Sequence, residues 1–219
     1  MPAHWRWLAA DDRYRELGDL AAAAHVFGDP HAANAVLERR NRMRASVVGE
    51  GPLPDTVRRM LAASGMRTVD DRAADVRILA RGGFPDVFDD PTADDYDRPH
   101  LSVTVFGERA LIGPMVVPGQ TSCLRCRHLH RLDADPAWSM LSLHLVSSGP
   151  RIPVPPLDRL LVHLAAVRAV LMVRQWVDDP HRPQLWADFA WEVWLPAGLV
   201  QRIERPPHPL CGCRWSAGV

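Results

Sequence analysis

The chain has 219 residues, 47% of them apolar, and its 26 basic and 26 acidic side chains cancel at neutral pH. That length suits one domain, or one domain with an appendage, and the apolar share supplies a core. Balanced charge sets up no overall field for nucleic acid, membrane or acidic partners. All 26 basic residues are arginine, which excludes a lysine Schiff base, a P-loop lysine and a lysine phosphate clamp.

Residues 1–15 carry Asp11, Asp12 and three arginines without an apolar run, so they do not read as a signal peptide. The longest apolar helical pattern, 157–177, is interrupted by Arg159, His163, Arg168 and Arg174, so no stretch reads as a bilayer span. A soluble, cytoplasmic protein with no membrane partner is expected. Residues 1–44 read as a short helical segment. Leu17, Leu20, Ala21 and Ala24 mark a first helix, ended by Gly28-Asp29-Pro30, and a second runs over 30–42 with Asp29 as its cap. The arginines at 39, 40, 42 and 44 suit the negative end of a helix dipole, and nucleic acid is not expected as a partner because no interleaved aromatics follow.

From residue 45 the pattern changes to alternating strands and helices, which predicts an α/β domain over 45–219 with a mostly parallel sheet. Ala45-Ser46-Val47-Val48 reads as a strand, Gly49-Glu50-Gly51-Pro52-Leu53-Pro54 as a turn, 56–64 as a helix and 66–70 as the next strand. A strand, a glycine turn, a helix and an acidic residue about 20 positions on is the layout of a nucleotide-binding βαβ unit. Candidate nucleotide residues are therefore Gly49, Gly51 and Asp70, with Asp71 as the alternative acid. Pro54 occupies the third glycine position, and neither Pro52 nor Pro54 has an N–H for phosphate. An inherited scaffold is the preferred reading of this turn.

Strands are expected at 76–80 and 101–105, separated by an acidic loop with six aspartates over 86–97. Residues 110–119 lead to Cys123-Leu124-Arg125-Cys126, which opens a helix continuing past Asp135-Pro136. After the proline-rich stretch 149–156, Leu157, Leu160, Leu161, Leu164, Val167 and Leu171 recur at helical spacing and predict a core helix over 157–177. Strands at 184–194 and 199–204 are joined at Pro196-Ala197-Gly198, a hairpin signal. Their tryptophans 186, 191 and 194 are expected on a packed sheet face, the alternative being a docking surface.

The chain closes with Cys211-Gly212-Cys213, and these two pairs hold all four cysteines. Cys123, Cys126, Cys211 and Cys213 suit one tetrahedral tetrathiolate site, with zinc the first candidate. Disulfides, a redox pair at Cys123/Cys126 and an iron–sulfur cluster are the alternatives. Four thiolates complete a tetrahedron, so His128, His130 and His208 are not expected as ligands. No nucleophile elbow, HExxH or other catalytic constellation is present, so independent catalysis is not expected.

One stretch is Gly113-Pro114-Met115-Val116-Val117-Pro118-Gly119-Gln120-Thr121-Ser122-Cys123-Leu124-Arg125-Cys126. Arg131-Leu132-Asp133-Ala134-Asp135-Pro136-Ala137-Trp138 follows it, and His208-Pro209-Leu210-Cys211-Gly212-Cys213 closes the chain. Together these resemble the ThiF/MoeB/ubiquitin-activating superfamily. The branch is that of the ThiF-like partners of YcaO cyclodehydratases, the leader-peptide-binding proteins of thiazole/oxazole-modified microcin (bacteriocin) biosynthesis. The resemblance spans roughly residues 44–213. It implies a Rossmann-like α/β fold and a structural zinc on the four cysteines.

In adenylating members the resemblance places ATP on the turn at Gly49 and Gly51, the ribose on Asp70 or Asp71, and a lysine against the phosphates. The missing lysine and Pro54 point away from adenylation and toward a scaffold that presents a peptide to an enzyme. The implied partners are a YcaO-type enzyme or a peptide substrate, with a homodimer as a further option. Peptide-presenting members carry a winged-helix clamp, of which residues 1–44 would be a remnant. The alternatives are an ATP-dependent adenylyltransferase of a protein or peptide C-terminus and a zinc-bearing nucleic-acid module using 39–44.

Overall fold

The computed structural model describes residues 30–83, 98–148 and 156–213. The first expected helix, the acidic stretch 86–97 and most of the proline-rich stretch lie outside the described residues. Helix α1 spans Pro30–Arg42 and leads into strand β1, Arg44–Val48. Helix α2, Pro52–Ala63, begins four residues earlier than its apolar pattern suggests. Gly51 takes the cap position at φ 97°, and Pro52 has a ring already set for a first helical turn. Strand β2 is only Arg67–Thr68, and a 3-10 turn at Asp71–Ala73 passes the chain to β3, Val76–Gly82.

Strands β4, His100–Phe106, and β5, Arg109–Val116, are joined by the two-residue turn Gly107-Glu108. Helices α3, Leu124–Ala134, and α4, Trp138–Ser148, follow, then the 20-residue helix α5, Arg159–Asp178. Its cap is Asp158, whose carboxylate accepts the Leu161 N–H at 3.0 Å. Strands β6, Phe189–Trp194, and β7, Leu199–Glu204, close the sheet.

The seven strands form one mixed sheet in the order β2-β1-β3-β4-β5-β6-β7. Pairing is parallel for β2/β1, β1/β3 and β3/β4 and antiparallel for β4/β5, β5/β6 and β6/β7. The expectation of a mostly parallel sheet is thus corrected: half of the pairings are antiparallel. The cause is local. A two-residue turn reverses the chain after β4, and parallel neighbours need a longer crossover. β5 itself was not anticipated as a strand, because Gly113-Pro114 breaks the run. Gly113 lies at φ 112°, and a Cβ there would meet Phe189 O at 2.9 Å, so β6 approaches a glycine where no other residue fits.

One sheet face is covered by α2 and α5, which also pack on each other. Leu53, Val57 and Leu61 of α2 join Ile78, Leu101, Val103, Ile112 and Met115 in the core. α5 contributes Leu161, Ala165, Ala166, Ala169, Met172 and Val173. The helix expected over 157–177 exists, but part of its expected core stripe faces outward. Leu160, Leu164, Val167 and Leu171 are all at least 40% exposed. The helix is apolar around its circumference, so periodicity alone could not tell inside from outside, and the alanines lie against the sheet. By length and composition α5 is apolar enough to cross a membrane, but half of that window is buried in this fold, as in a core helix.

Ser102 alternates with Leu101 and Val103, so it faces the opposite side. Buried Arg127 of α3 donates there to Ser102 Oγ at 3.1 Å and to Gly113 O at 3.3 Å, which pins α3 to the second face of the sheet. α1 packs on α5, and Arg40 forms a bidentate pair with Asp178 at 2.7 and 2.5 Å. Trp186 is not on the sheet. It lies behind a 3-10 turn at Pro183–Leu185, is 2% exposed, and donates its Nε1–H to Asp179 O at 3.1 Å.

Candidate metal centre and the glycine turn

The loop before α3 is held by a buried threonine. Thr121 Oγ1 accepts the Val117 N–H at 2.8 Å and donates to Met115 O at 3.2 Å. The Ser122 N–H donates to Asp188 Oδ1 at 2.7 Å, and Asp188 is the described non-glycine residue with positive φ, 57°. Cys123 then takes the cap position of α3, with the first helical bond running from the Arg127 N–H to Cys123 O at 3.2 Å. Cys126 therefore lies in the first turn, on the same side as Cys123. The tail arrives after β7, where Pro206 and Pro207 end strand pairing and a turn from His208 to Cys211 is closed by the Cys211 N–H on His208 O at 3.0 Å.

All four cysteines meet. Cys123 Sγ lies 3.8 Å from Cys126 Sγ and 3.4 Å from Cys211 Sγ, and Cys126 Sγ lies 3.4 Å from Cys213 Sγ. All four sulfurs are within 4.8 Å of one another, and none is in a disulfide. A tetrahedron with metal–sulfur bonds of about 2.3 Å has edges of about 3.8 Å, so the cluster has the size to hold one metal ion.

The thiols shift one another. The Cys123 thiol donates to Cys126, which holds the Cys126 pKa down at about 4 against burial, helped by the His208 backbone N–H. The same contact pushes Cys123 well above the usual thiol range, and burial followed by Cys126 pushes Cys213 up to about 12.

The nucleotide residues are placed differently. Gly49, at φ 129°, packs so tightly on β3 that a Cβ would meet Ala80 O at 2.0 Å. Gly51 has nothing within 4 Å of a built Cβ, and its role is the cap. At the N-terminus of α2, Pro52 and Pro54 have no N–H, and the Asp55 N–H is taken by Gly51 O at 3.3 Å. Only Leu53 offers a first-turn donor. Pro54 is buried, its ring 3.1 Å from the Gly49 Cβ position. The nearby cation, Arg58, donates to Val47 O at 2.9 Å, Gly49 O at 3.3 Å and Asp55 Oδ1 at 2.8 Å. The first turn of α2 therefore does not form a phosphate cradle of backbone N–H groups.

Asp70 lines an open cavity of about 640 Å³ with Ser46, Val47, Arg58 and Thr68. Asp71 is committed to the fold. It pairs with Arg77, accepts from Ser46 Oγ at 2.7 Å, and its backbone carbonyl accepts from Arg98 at 2.6 Å. Arg77 holds its carboxyl below the usual carboxylate range against the opposing effect of burial. The arginine run is likewise engaged: Arg39 on Asp178 O, Arg40 on Asp178, Arg42 on Glu38 and Arg44 on Asp75. Trp191 is half-buried between Phe189 and the Arg168 guanidinium, and Trp194 is 38% exposed beside Arg109.

Asp188, Asp133 and His208 were missed as supports of the cysteine cluster. Only the proximity of His208 to the second pair hinted at one of them.

A mixed α/β sheet with a βαβ glycine turn at one end and a four-cysteine cluster joining mid-chain to tail defines the class of the domain. No protein-family model matches the sequence, and no curated protein matches it. Solved structures do match in fold. The heterocyclase TruD superposes with a TM-score of 0.63 at 14% identity over 88% of this chain and 30% of its own. A heterocyclase in complex with substrate and cofactor gives 0.65 at 15% identity, over 89% of this chain and 27% of its own. E. coli MccB with ATP gives 0.57 at 13% identity, over 84% of this chain and 72% of its own. The chain thus spans less than a third of either heterocyclase, and the likeness is one of fold.

Proposed function

We propose that this chain is a non-adenylating, zinc-binding scaffold of the ThiF-like kind. It would bind a peptide substrate or a YcaO-type cyclodehydratase during ribosomal peptide modification in the cytoplasm. The observation that carries this reading is the first turn of α2. Gly49 is kept where β3 needs it, while Pro52 and Pro54 remove the donors that a triphosphate would use. The fold likeness to heterocyclases and to MccB supports the setting in peptide modification. Cys123, Cys126, Cys211 and Cys213 would hold the zinc, whose chemistry here is structural: four thiolates tie the tail to α3. In this reading residues 1–44 precede the ThiF-like domain, 45–219.

The second reading, an ATP-dependent adenylyltransferase, is favoured by the cavity beside Asp70. Calorimetry of the full chain with millimolar magnesium–ATP separates the two. No binding heat, together with co-purification of a YcaO-type enzyme or a small peptide, is expected. Saturable ATP binding with pyrophosphate exchange on a peptide carboxylate would establish the second reading.

A further inference from the structure

Beside the cysteines lies a second cluster of donor atoms, from His130, Asp133 and His208, all within 4.8 Å of one another. By spacing alone it resembles another metal site, but its hydrogen bonds say otherwise. The Leu210 backbone N–H donates to His208 Nδ1 at 3.1 Å. A backbone N–H can only donate, so Nδ1 carries the lone pair and Nε2 carries the proton. That Nε2–H donates to Asp133 Oδ2 at 2.7 Å. His130 Nε2 is 2.9 Å from Pro206 O, which can only accept, so His130 is the donor. An ion on His208 would have to displace one of these two bonds.

His208 is 5% exposed, and its ring meets that of His130 edge-on at 4.7 Å. Its backbone carbonyl accepts from Cys211, and its backbone N–H faces Cys126. Asp133 and His130 belong to α3, the helix that opens with Cys123 and Cys126. The residue thus joins the tail to the helix through contacts that need no ion.

We propose that His208, held by Asp133 and His130, is the positioning residue of the tail half-site. It docks the turn carrying Cys211 and Cys213 on α3 before the ion arrives. The inference rests on the zinc reading above, and it sets the order of events: clasp first, ion second. Preorganising two of four ligands raises metal affinity without a contact to the metal, as outer hydrogen-bond partners of metal ligands do by about 10- to 100-fold.

The test uses the full chain with Asp133→Ala and Asp133→Asn. Asp133 is 67% exposed, so neither change disturbs the core. Zinc affinity is read by competition with a chromophoric chelator, and tail docking by amide hydrogen exchange of the chelator-stripped protein. Asp133→Ala is expected to weaken zinc about 10- to 100-fold and to lose protection at Leu210 and Cys211. Asp133→Asn, which keeps an acceptor, should recover most of both. Unchanged affinity and unchanged exchange in Asp133→Ala would overturn the clasp. Two zinc equivalents in the unaltered chain, one of them lost in Asp133→Ala, would overturn it in favour of a second site. A chain that takes up no zinc would sink the zinc reading, while the exchange arm would still decide the clasp.

Discussion

Replacing Gly49 by alanine tests whether the glycine turn serves the sheet. The added Cβ would lie 2.0 Å from Ala80 O, a backbone atom that cannot rotate away, and φ 129° is foreign to an L side chain. Relief requires β1 and β3 to separate next to the Val48/Leu79 pair. Backbone strain of about 1–3 kcal/mol and overpacking of about 1–3 kcal/mol add to roughly 4 kcal/mol. For a chain of this size that lowers Tm by about 8–16 °C. Gly51→Ala is the control. Its φ is also positive, at 97°, but it has open space, so it should lose only about 1–2 kcal/mol. Urea unfolding at fixed zinc concentration compares the two. Equal losses, or a milder effect at Gly49, would refute the packing argument and return both glycines to ligand binding.

Asp178→Ala leaves the Arg40 guanidinium, 9% exposed, without its carboxylate and should destabilise by about 3–5 kcal/mol in urea unfolding. Adding Arg40→Met should restore part of that loss, and an additive double mutant would argue against the pair. Asp71 has a depressed folded pKa, so its stabilising contribution is present above the unfolded carboxylate value and lost as pH falls through the folded one. Asp71→Asn should therefore be less stable than the unaltered chain near neutrality, with the gap closing below about pH 4. A gap that persists in acid would assign the effect to packing. Because the Cys123 and Cys213 thiols are both raised, metal loading must displace their protons. Proton release measured in two buffers of different ionisation heat should reach at least about two per ion, and affinity should fall as pH falls.

The βαβ unit was legible because its signals are local: a strand, two glycines, a capped helix and an acid follow one another within 30 residues. The cysteine pairs were legible because two short spacings leave few geometries for four thiols. The antiparallel half of the sheet was not, since Gly113 in β5 reads as a break until β6 is seen lying against it. Nor was the orientation of α5, where apolar residues on all sides leave the choice of buried face to the sheet. His208 and Asp133 stand 75 positions apart, and only the folded tail brings them within 2.7 Å. Asp188 gave no signal at all, because its role is a backbone shape and bonds to Ser122 and Arg205 that only the fold brings together.

X-ray absorption at the zinc edge on the purified full chain, with metal content measured on the same sample, bears on the whole reading most directly. One zinc per chain with four sulfur neighbours at about 2.3 Å and no nitrogen is the expected result. Fewer than four sulfurs, a histidine nitrogen in the coordination sphere, or a chain that takes up no zinc would contradict a tail stapled to α3 by Cys123, Cys126, Cys211 and Cys213.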